Sequence, residues 1–343
     1  MIIIRYLLFP FAILYGFITS VRNFFYNEGI LKSYSFSIPI IAVGNLSVGG
    51  TGKTPQIEYL IRLLSPKYKI ATLSRGYKRK SKGFILADGN SNATILGDEP
   101  FQFFKKFPQI QVAVDENRKN GIEQLLKLKA RPEIILLDDA FQHRQVRAGF
   151  YILLTSFDDL FCDDFMLPTG NLRERRSGVN RADIVIVTKC PEKLSDDEQQ
   201  RIKDRIGSDK PLFFSKITYN EKVFSRDKTI AVRQLRLVDK LLLAGIAKPE
   251  PFFDFLKGGN SEIMQFEDHH LFSDNEILAI KNKACNKPII TTEKDYVRLK
   301  GTILEEQLYY LPIKSSFLTD ADIFNHTILN YLMNKFLPKN NNN

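Results

Sequence analysis

Cysteine is scarce in this sequence, and its three cysteines, Cys162, Cys190 and Cys285, lie far apart. None of them belongs to a Cys-x-x-Cys pair and their number is odd, so the sequence predicts neither a disulfide framework nor a zinc site. Thiols with this distribution are usually buried or unreactive, and they are typical of a protein in a reducing compartment.

Clusters of basic residues and internal repeats are also missing. The chain has 49 Lys and Arg against 39 Asp and Glu, a formal net charge of +10, but the basic residues are spread along it. Without a basic cluster or an aromatic–basic ribbon, we expect no nucleic-acid partner. The net positive charge by itself favours anionic partners, namely nucleic acid, phosphorylated substrates or acidic lipid headgroups, and does not choose between them.

The N-terminus carries a long hydrophobic run, in which residues 2–26 read IIIRYLLFPFAILYGFITSVRNFFY. Its uncharged part, residues 6–20, is shorter than the roughly 20 residues that span a bilayer. One rival interpretation is a cleaved signal peptide, but the segment lacks a clean small-x-small cleavage site. Another is a hydrophobic helix packed on the core. We expect residues 1–27 to form a helix that lies in, or dips into, the membrane from its cytoplasmic side.

Short apolar segments alternate with helical patterns through the rest of the chain. This alternation predicts an α/β fold with parallel sheets covered on both faces. Two capping boxes, Ser195 with Glu198 and Ser273 with Glu276, each predict the start of a helix. The expected strands are residues 39–44, 69–74, 109–114, 133–137, 151–154, 183–188, 240–245, 263–266, 288–292 and 308–312.

A polar, basic stretch at residues 218–238 divides this series, and we interpret it as a short β ribbon that joins two α/β lobes. The polar residues 339–343 have nothing to bury, so we expect a disordered tail. The predicted order is a membrane-associated helix (1–27), a nucleotide-binding kinase domain (28–217), the connector (218–238), a smaller α/β domain (239–338) and the tail (339–343).

The strongest motif is GNLSVGGTGKTP at residues 44–55, which follows an apolar strand and opens a helix. This is the setting of a P-loop, in which glycines let backbone amides surround phosphate oxygens and the helix N-terminus adds its positive dipole. Lys53 would reach the β- and γ-phosphates of ATP, and the Thr54 hydroxyl would bind Mg²⁺. The strict pattern has glycine where this chain has Ser47. The core is intact and consists of Gly49, Gly50, Thr51, Gly52, Lys53 and Thr54.

A second motif, LDDAFQHR at residues 137–144, ends an apolar strand. Carboxylates at the carboxyl end of a parallel strand face the crevice where ligands bind. Asp138 and Asp139 repel each other, so burying both is costly without a cation. We expect one of them to hold Mg²⁺, directly or through water, and the sequence leaves open which one does so.

Seven segments together resemble those of the tetraacyldisaccharide 4'-kinase, or lipid A 4'-kinase, family. They keep one order and cover nearly the whole chain after the N-terminal helix. Ala140 stands where family members commonly carry glycine, which affects the flexibility of a turn. The segments are VGNLSVGGTGKTP (43–55), LSRGY (73–77), GDEP (97–100), LDDAFQHR (137–144), PTGNLRE (168–174), DHH (268–270) and TTEKDYV (291–297).

This resemblance implies two P-loop-like lobes linked by a β ribbon, with an N-terminal helix at the cytoplasmic face of the inner membrane. It implies that ATP, with Mg²⁺, phosphorylates the 4'-hydroxyl of a tetraacylated glucosamine disaccharide 1-phosphate to form lipid IVA. It also implies that Asp98 of GDEP and His269 of DHH form an acid–base pair at the acceptor, with His270 as the alternative to His269. Closure between the lobes would assemble this pair. No obligate protein partner is implied.

Five further residues are candidates for ligand contacts. Arg173 and Glu174 would contact phosphate or metal. Arg118 would contact the phosphate already on the substrate, and Arg75 and Tyr77 would flank the sugar. Each could equally form a surface ion pair or an edge of the core.

Three other functions fit parts of the sequence. A membrane-bound P-loop ATPase switch of the partition type shares GGTGKT, but its loop carries a signature lysine where this chain has Val48. A nucleotide-gated scaffold would bind ATP without turnover, and a nucleic-acid enzyme would need the missing basic patch. The partition-type switch also gives GDEP and DHH no role.

Overall fold

The computed structural model describes residues 7–268, 270–303 and 306–337. Residues 1–6, His269 and the predicted tail at 339–343 therefore lie outside the described residues. Two sheets organise the described chain, and both are mainly parallel. The predicted α/β class is confirmed.

The larger sheet contains nine strands within the described residues, in the order β15-β8-β7-β6-β1-β5-β2-β4-β3. Its two edge strands, β3 and β15, run antiparallel to their neighbours, and the strands between them are parallel. Its strands are β1 Ile40–Asn45, β2 Ile70–Ser74, β3 Ile85–Leu86, β4 Gln111–Val114, β5 Ile134–Asp138, β6 Phe150–Ser156, β7 Ile184–Thr188, β8 Leu212–Tyr219 and β15 Ile313–Phe317.

The smaller sheet has the order β10-β9-β14-β13-β11-β12 in the described part of the chain. The strands from β14 to β12 are parallel, and β9 and β10 form an antiparallel hairpin within the predicted connector. Its strands are β9 Lys222–Phe224, β10 Thr229–Ala231, β11 Lys240–Ala244, β12 Ser261–Gln265, β13 Ile289–Thr292 and β14 Leu308–Leu311.

Helices connect the strands and cover the sheets. Both predicted capping boxes are confirmed, because Ser195 and Ser273 each accept a hydrogen bond from the amide of the paired glutamate. The helices are α1 Phe9–Asn27, α2 Lys53–Leu64, α3 Ala93–Leu96, α4 Asp98–Lys106, α5 Arg118–Leu126, α6 Asp196–Ile206, α7 Val232–Leu235, α8 Glu250–Leu256, α9 Asp274–Ala284, α10 Glu293–Leu299 and α11 Ala321–Phe336.

The larger sheet is covered on both faces. Successive side chains of a strand point to opposite faces, so Ile41 and Val43 of β1 pack in the core that contains α2, while Ile40 and Ala42 pack in the core that contains α5. All six residues of β1 are buried. This burial on both faces explains why the strand is continuously apolar.

After β14 the chain returns to the larger sheet. β15 pairs with β8, and α11 buries Phe324, Ile328 and Leu332 in the same core as α2. Residues 313–336, which the sequence groups with the smaller domain, thus pair and pack with the larger sheet. The predicted domain boundaries themselves stay a prediction.

Helix α1 has one docked and one exposed face. Ala12 and Gly16 are buried, whereas Phe11, Ile13 and Phe17 are each more than 60% exposed. Within the described residues, no helix combines the length and the hydropathy that crossing a membrane requires.

Candidate active site

The predicted motifs meet at one edge of the larger sheet. Strand β1 lies between β5 and β6, and β5 pairs with β2 on its other side, all in parallel. Because parallel strands end at the same edge, the segments that follow β1, β5 and β2 leave the sheet side by side. These segments carry the phosphate-loop motif, Asp138 with Asp139, and the LSRGY motif.

The phosphate loop has the backbone geometry that its glycines permit. Gly49 has φ +108° and Gly52 has φ +80°, in the region that side chains disfavour. Gly52 caps α2, whose first residue is Lys53. The loop is fixed from both sides, because the Asn45 amide donates to Thr51 Oγ1 at 2.9 Å and the Thr188 hydroxyl donates to the Thr51 carbonyl at 2.8 Å. A helix N-terminus behind such a loop favours an anion.

Lys53 lies at the mouth of this loop. Its ammonium donates to Asn45 Oδ1 at 3.4 Å and is 3.7 Å from Asp139 Oδ1. Arg173 donates to the same carboxylate oxygen at 2.9 Å. Two cations therefore converge on Asp139, at the place where the loop would present the phosphates.

The pKa values of the two adjacent aspartates are shifted in opposite directions. Burial, assisted by the charge of Asp139, raises the pKa of Asp138 to about 7. Burial also opposes ionisation of Asp139, but Lys53 and Arg173 outweigh it and hold the pKa of Asp139 below its usual value. Asp139 adopts φ +48°, in the left-handed region that non-glycine residues rarely occupy. Burial therefore raises the pKa of Asp138, whereas neighbouring cations lower the pKa of Asp139.

The residues at this edge fit a magnesium ion. Asp138 is 8% exposed, and its Oδ1 atom has no hydrogen-bond partner among the described residues. Thr54 lies in the first turn of α2. No group of three or more His, Cys, Asp or Glu that could hold a metal occurs in residues 7–268, 270–303 and 306–337. Proteins often bind Mg²⁺ through one or two carboxylates and substrate phosphates, and Asp138 and Asp139 supply carboxylates at this edge.

Glu174 occupies a different environment. Its carboxylate is buried and accepts hydrogen bonds from Gln142 at 2.9 Å, from Arg181 at 2.8 Å and from Asn23 of α1 at 3.1 Å. These contacts join the N-terminal helix to the segment after Asp139. Its predicted role as a metal ligand stays a prediction.

Asp98 begins α4 immediately after Gly97, whose φ is +90°. A Cβ at Gly97 would lie 3.1 Å from the Tyr77 carbonyl oxygen, so GDEP packs closely against LSRGY. Glu99 is near enough to Asp138 to contribute to its raised pKa. The GDEP motif therefore lies near the predicted magnesium site.

The two candidate histidines differ in what the structure describes. His269 lies outside the described residues. His270 is engaged elsewhere: its Nε2 is 2.9 Å from Glu276, and its ring contacts Phe266 and Phe272. These contacts hold the His270 ring against α9 and its neighbouring loop.

The candidate substrate residues lie around the same edge. Arg75 and Tyr77 are exposed on the loop after β2. Arg118 is 2% exposed and donates to the main-chain carbonyls of Asp115 and Asp138, at 2.9 and 3.3 Å. Its predicted contact with the substrate, like those of Arg75, Tyr77 and Arg173, stays a prediction.

Sequence reasoning missed two side chains of the site. Gln142 donates to the Asn45 carbonyl at 2.7 Å and to Glu174, so it links the phosphate loop to the segment after Asp139. It lies inside the LDDAFQHR motif, which was the available signal. Arg298 forms an ion pair with Asp98. It lies one residue beyond TTEKDYV, and nothing in the local sequence indicated its partner.

Comparison with known proteins agrees with this geometry. A model of the tetraacyldisaccharide-1-P 4'-kinase family matches residues 4–333. A tetraacyldisaccharide 4'-kinase from Flavobacterium johnsoniae is 62% identical over 338 residues, covering 98% of this chain and 99% of the relative. One from Bacteroides thetaiotaomicron is 45% identical, covering 95% and 92%.

A solved structure is similar throughout. LpxK from Aquifex aeolicus, in complex with ATP, matches with a TM-score of 0.78 at 29% identity, covering 96% of this chain and 99% of that one. Matches of this length do not favour the partition-type switch. The resemblance predicted from the motifs is confirmed, and the chain belongs to the tetraacyldisaccharide-1-P 4'-kinase family.

Proposed function

We propose that this chain transfers the γ-phosphoryl group of ATP to the 4'-hydroxyl of a tetraacylated glucosamine disaccharide 1-phosphate, forming lipid IVA and ADP. The observation that carries the proposal is the meeting of the phosphate loop, the Asp138–Asp139 pair and the GDEP motif at one sheet edge. A P-loop alone occurs in many ATP-binding proteins, so the GDEP motif beside it, which the family resemblance assigns to the acceptor, is what favours a transferase.

The phosphate loop and its neighbours hold the donor. The amides of residues 49–54 surround the phosphates, and Lys53 contacts the β- and γ-phosphates. Thr54 and Asp138 or Asp139 would hold Mg²⁺, which would neutralise charge on the phosphates. Because burial raises the pKa of Asp138 to about 7, a cation would compete with a proton for this carboxylate near neutral pH.

Asp98 and a histidine of the DHH segment serve the acceptor. Asp98 accepts the proton of the 4'-hydroxyl while that oxygen bonds to the γ-phosphorus and the bond to the β–γ bridging oxygen breaks. His269 is preferred over His270 as its partner, since the His270 ring is committed to Glu276 and two phenylalanines. Arg173 is the candidate to neutralise charge that develops during transfer.

The exposed face of α1 suits the membrane surface. Apolar side chains such as Phe11, Ile13 and Phe17 face outward, while polar side chains of the same helix contact the active-site segments. An amphipathic helix of this kind binds in the interfacial layer, where the disaccharide headgroup of the substrate also lies. We place the protein at the cytoplasmic face of the inner membrane, with membrane lipids as a partner and no nucleic acid or obligate protein partner.

The test is transfer of radiolabelled γ-phosphate from ATP to the disaccharide 1-phosphate in detergent. Wild type, Asp98→Asn and the distant, exposed Asp254→Asn are compared with and without Mg²⁺. Magnesium-dependent labelling of the lipid that persists in Asp254→Asn and is lost in Asp98→Asn supports the reaction and the base. ATP hydrolysis without labelled lipid supports the switch ATPase instead, and ATP binding without turnover supports the scaffold.

A further inference from the structure

The Asp98 carboxylate forms an ion pair with Arg298, which lies 200 positions away in the sequence. Asp98 begins α4 beside the larger sheet, and Arg298 lies in α10 beside the smaller one. The guanidinium faces both carboxylate oxygens, with Nη2 paired to Oδ2 and Nε 3.4 Å from Oδ1. The Arg298 side chain is 7% exposed and that of Asp98 is 19% exposed. The pair is therefore a two-point contact removed from most solvent.

The same guanidinium makes two further contacts. Its Nη1 donates to the main-chain carbonyl of His270 at 3.2 Å and lies 3.6 Å from Oδ1 of the fully buried Asp295. Asp295 is fixed in turn, because its Oδ2 accepts hydrogen bonds from the Gly245 amide and the Thr292 hydroxyl, each at 2.8 Å. Arg298 is thus anchored on one side and joins Asp98 to the DHH segment on the other.

We propose that Arg298 is a positioning residue, which fixes the Asp98 carboxylate against the backbone of the DHH segment and keeps that carboxylate ionised. This inference rests on the proposed role of Asp98 as the base. Arginine suits the task, because its planar fork orients a carboxylate through two contacts and its charge persists at any physiological pH. A fixed cation also favours the ionised form of a neighbouring acid.

Other charged groups surround Asp98, and they are arranged differently. On its own helix, Glu99 is 3.6 Å from Lys294, which is also 3.4 Å from Asp268. Asp295 and the His270 carbonyl contact Arg298, which in turn contacts Asp98. Arg75 lies on the loop that packs against Gly97. Lys294 thus contacts the carboxylates of Glu99 and Asp268, while Arg298 contacts the Asp98 carboxylate through two nitrogens.

The contact between the two sheets has a second ion-pair network that does not touch Asp98. Lys106 of α4 lies 2.8 Å from Glu58 of α2 and 2.7 Å from Glu293 of α10. Glu293 is on the same helix as Arg298 and is also largely buried. Glu293→Gln therefore removes one charge from the contact between the sheets while leaving Asp98 with its partner, which makes it a matched control.

The experiment measures phosphoryl transfer by the full chain at saturating ATP and lipid acceptor, from about pH 5 to about pH 9. The variants are Arg298→Gln, Arg298→Lys, Glu293→Gln and Asp98→Asn. We expect Arg298→Gln to lower kcat on the order of 10–100-fold and to move the acidic limb of its pH profile upward by about one pH unit or more. Arg298→Lys keeps the charge, so its acidic limb stays near that of wild type while kcat remains reduced. We expect Glu293→Gln to keep both the wild-type kcat and the wild-type acidic limb.

The outcomes separate the alternatives. Wild-type kcat in Arg298→Gln, an unmoved acidic limb, or an equal loss of kcat in Glu293→Gln each overturns the inference, the last because general contact between the sheets then explains the effect. Should Arg298→Gln fail to fold, Arg298→Lys decides, since wild-type kcat in that variant excludes a need for the fork. Retained transfer in Asp98→Asn removes the proposed base itself, whereas its loss beside unaffected Arg298 variants removes this inference alone.

Discussion

The Lys53 ammonium lies 3.7 Å from the Asp139 carboxylate and 3.4 Å from the Asn45 side-chain oxygen. In this arrangement the loop lysine is held at the mouth of the phosphate site by a residue that follows the neighbouring strand. Phosphate oxygens would compete with Asp139 for the lysine. Mg²⁺ would then balance the negative charge of the Asp139 carboxylate. The ion pair therefore connects the two halves of the donor site.

Replacing Lys53 by Ala removes the cation that faces the phosphates. We expect kcat to fall on the order of 10²–10⁴-fold, as it does when other electrostatic contributors to a transition state are removed. Lys67→Ala, at an exposed position near the end of α2, is the control for loss of a surface charge. Near-wild-type transfer by Lys53→Ala would contradict the assignment of the P-loop.

Asp138→Asn should stabilise the protein while abolishing transfer. The pKa of Asp138 in the folded protein is about 7, whereas an unperturbed aspartate has a pKa of about 3.9. The folded state thus binds this proton more tightly than the unfolded state, so folding stability falls as pH rises between these two values. Asparagine avoids the buried charge, and we expect a gain on the order of 2–4 kcal/mol at pH 8, with little gain near pH 4.

Thermal unfolding without ATP and with a chelator measures this effect at both pH values. Mg²⁺ with ATP should then stabilise wild type more than the variant, because the variant has lost a cation ligand. Equal midpoints for the two proteins at pH 8 would show that folding does not raise the pKa of Asp138.

Gly44→Ala tests the close approach of the phosphate-loop strand to the segment after Asp139. A Cβ at Gly44 would lie 2.6 Å from Phe141 Cβ and 2.9 Å from the Phe141 amide nitrogen. One of the two segments must shift, so we expect a loss of about 1–3 kcal/mol in the free energy of unfolding and weaker ATP binding. Gly89→Ala is the matched control, because a Cβ there meets no atom within 4 Å. Similar urea midpoints for both variants would contradict the close approach.

Local sequence was sufficient for the elements that build the donor site. The helix that the phosphate-loop motif was predicted to open occurs at Lys53–Leu64, and the strand predicted at 39–44 occurs at Ile40–Asn45. Strand, glycine loop and helix are determined by hydrophobic period and glycine placement, which are properties of neighbouring residues. The two capping boxes succeeded for the same reason.

Contacts between distant segments could not be predicted. Whether Ile313–Phe317 joins the larger or the smaller sheet depends on β8, about a hundred residues earlier, and its own pattern fits an edge strand of either. The partner of Arg298 is 200 positions away, and an arginine near a helix end otherwise reads as a surface residue. Sequence therefore indicated the proposed ATP side more completely than the proposed acceptor side, where Asp98 and Arg298 come from elements beside different sheets.

The exposed face of α1 gives the last prediction. Phe11→Glu combined with Phe17→Glu should weaken binding to anionic phospholipid vesicles at least tenfold, because each buried aromatic contributes roughly 1.5–3 kcal/mol and each new carboxylate is repelled. Vesicle cosedimentation measures the change, and ATP binding should stay unaltered. Leu237→Glu, at an 83% exposed leucine beside the smaller sheet, is the control for lost surface hydrophobicity.

Substitution is a sharper test than deletion of the helix. Tyr15 donates to the Arg173 carbonyl at 3.0 Å, Arg22 to the Gln142 carbonyl at 3.1 Å and Asn23 to Glu174 at 3.1 Å. Deleting residues 1–26 would remove these contacts along with the apolar face, so activity and membrane binding would fall together. If the double variant binds vesicles as wild type does, the membrane contact lies elsewhere, and the apolar face of α1 has another occupant.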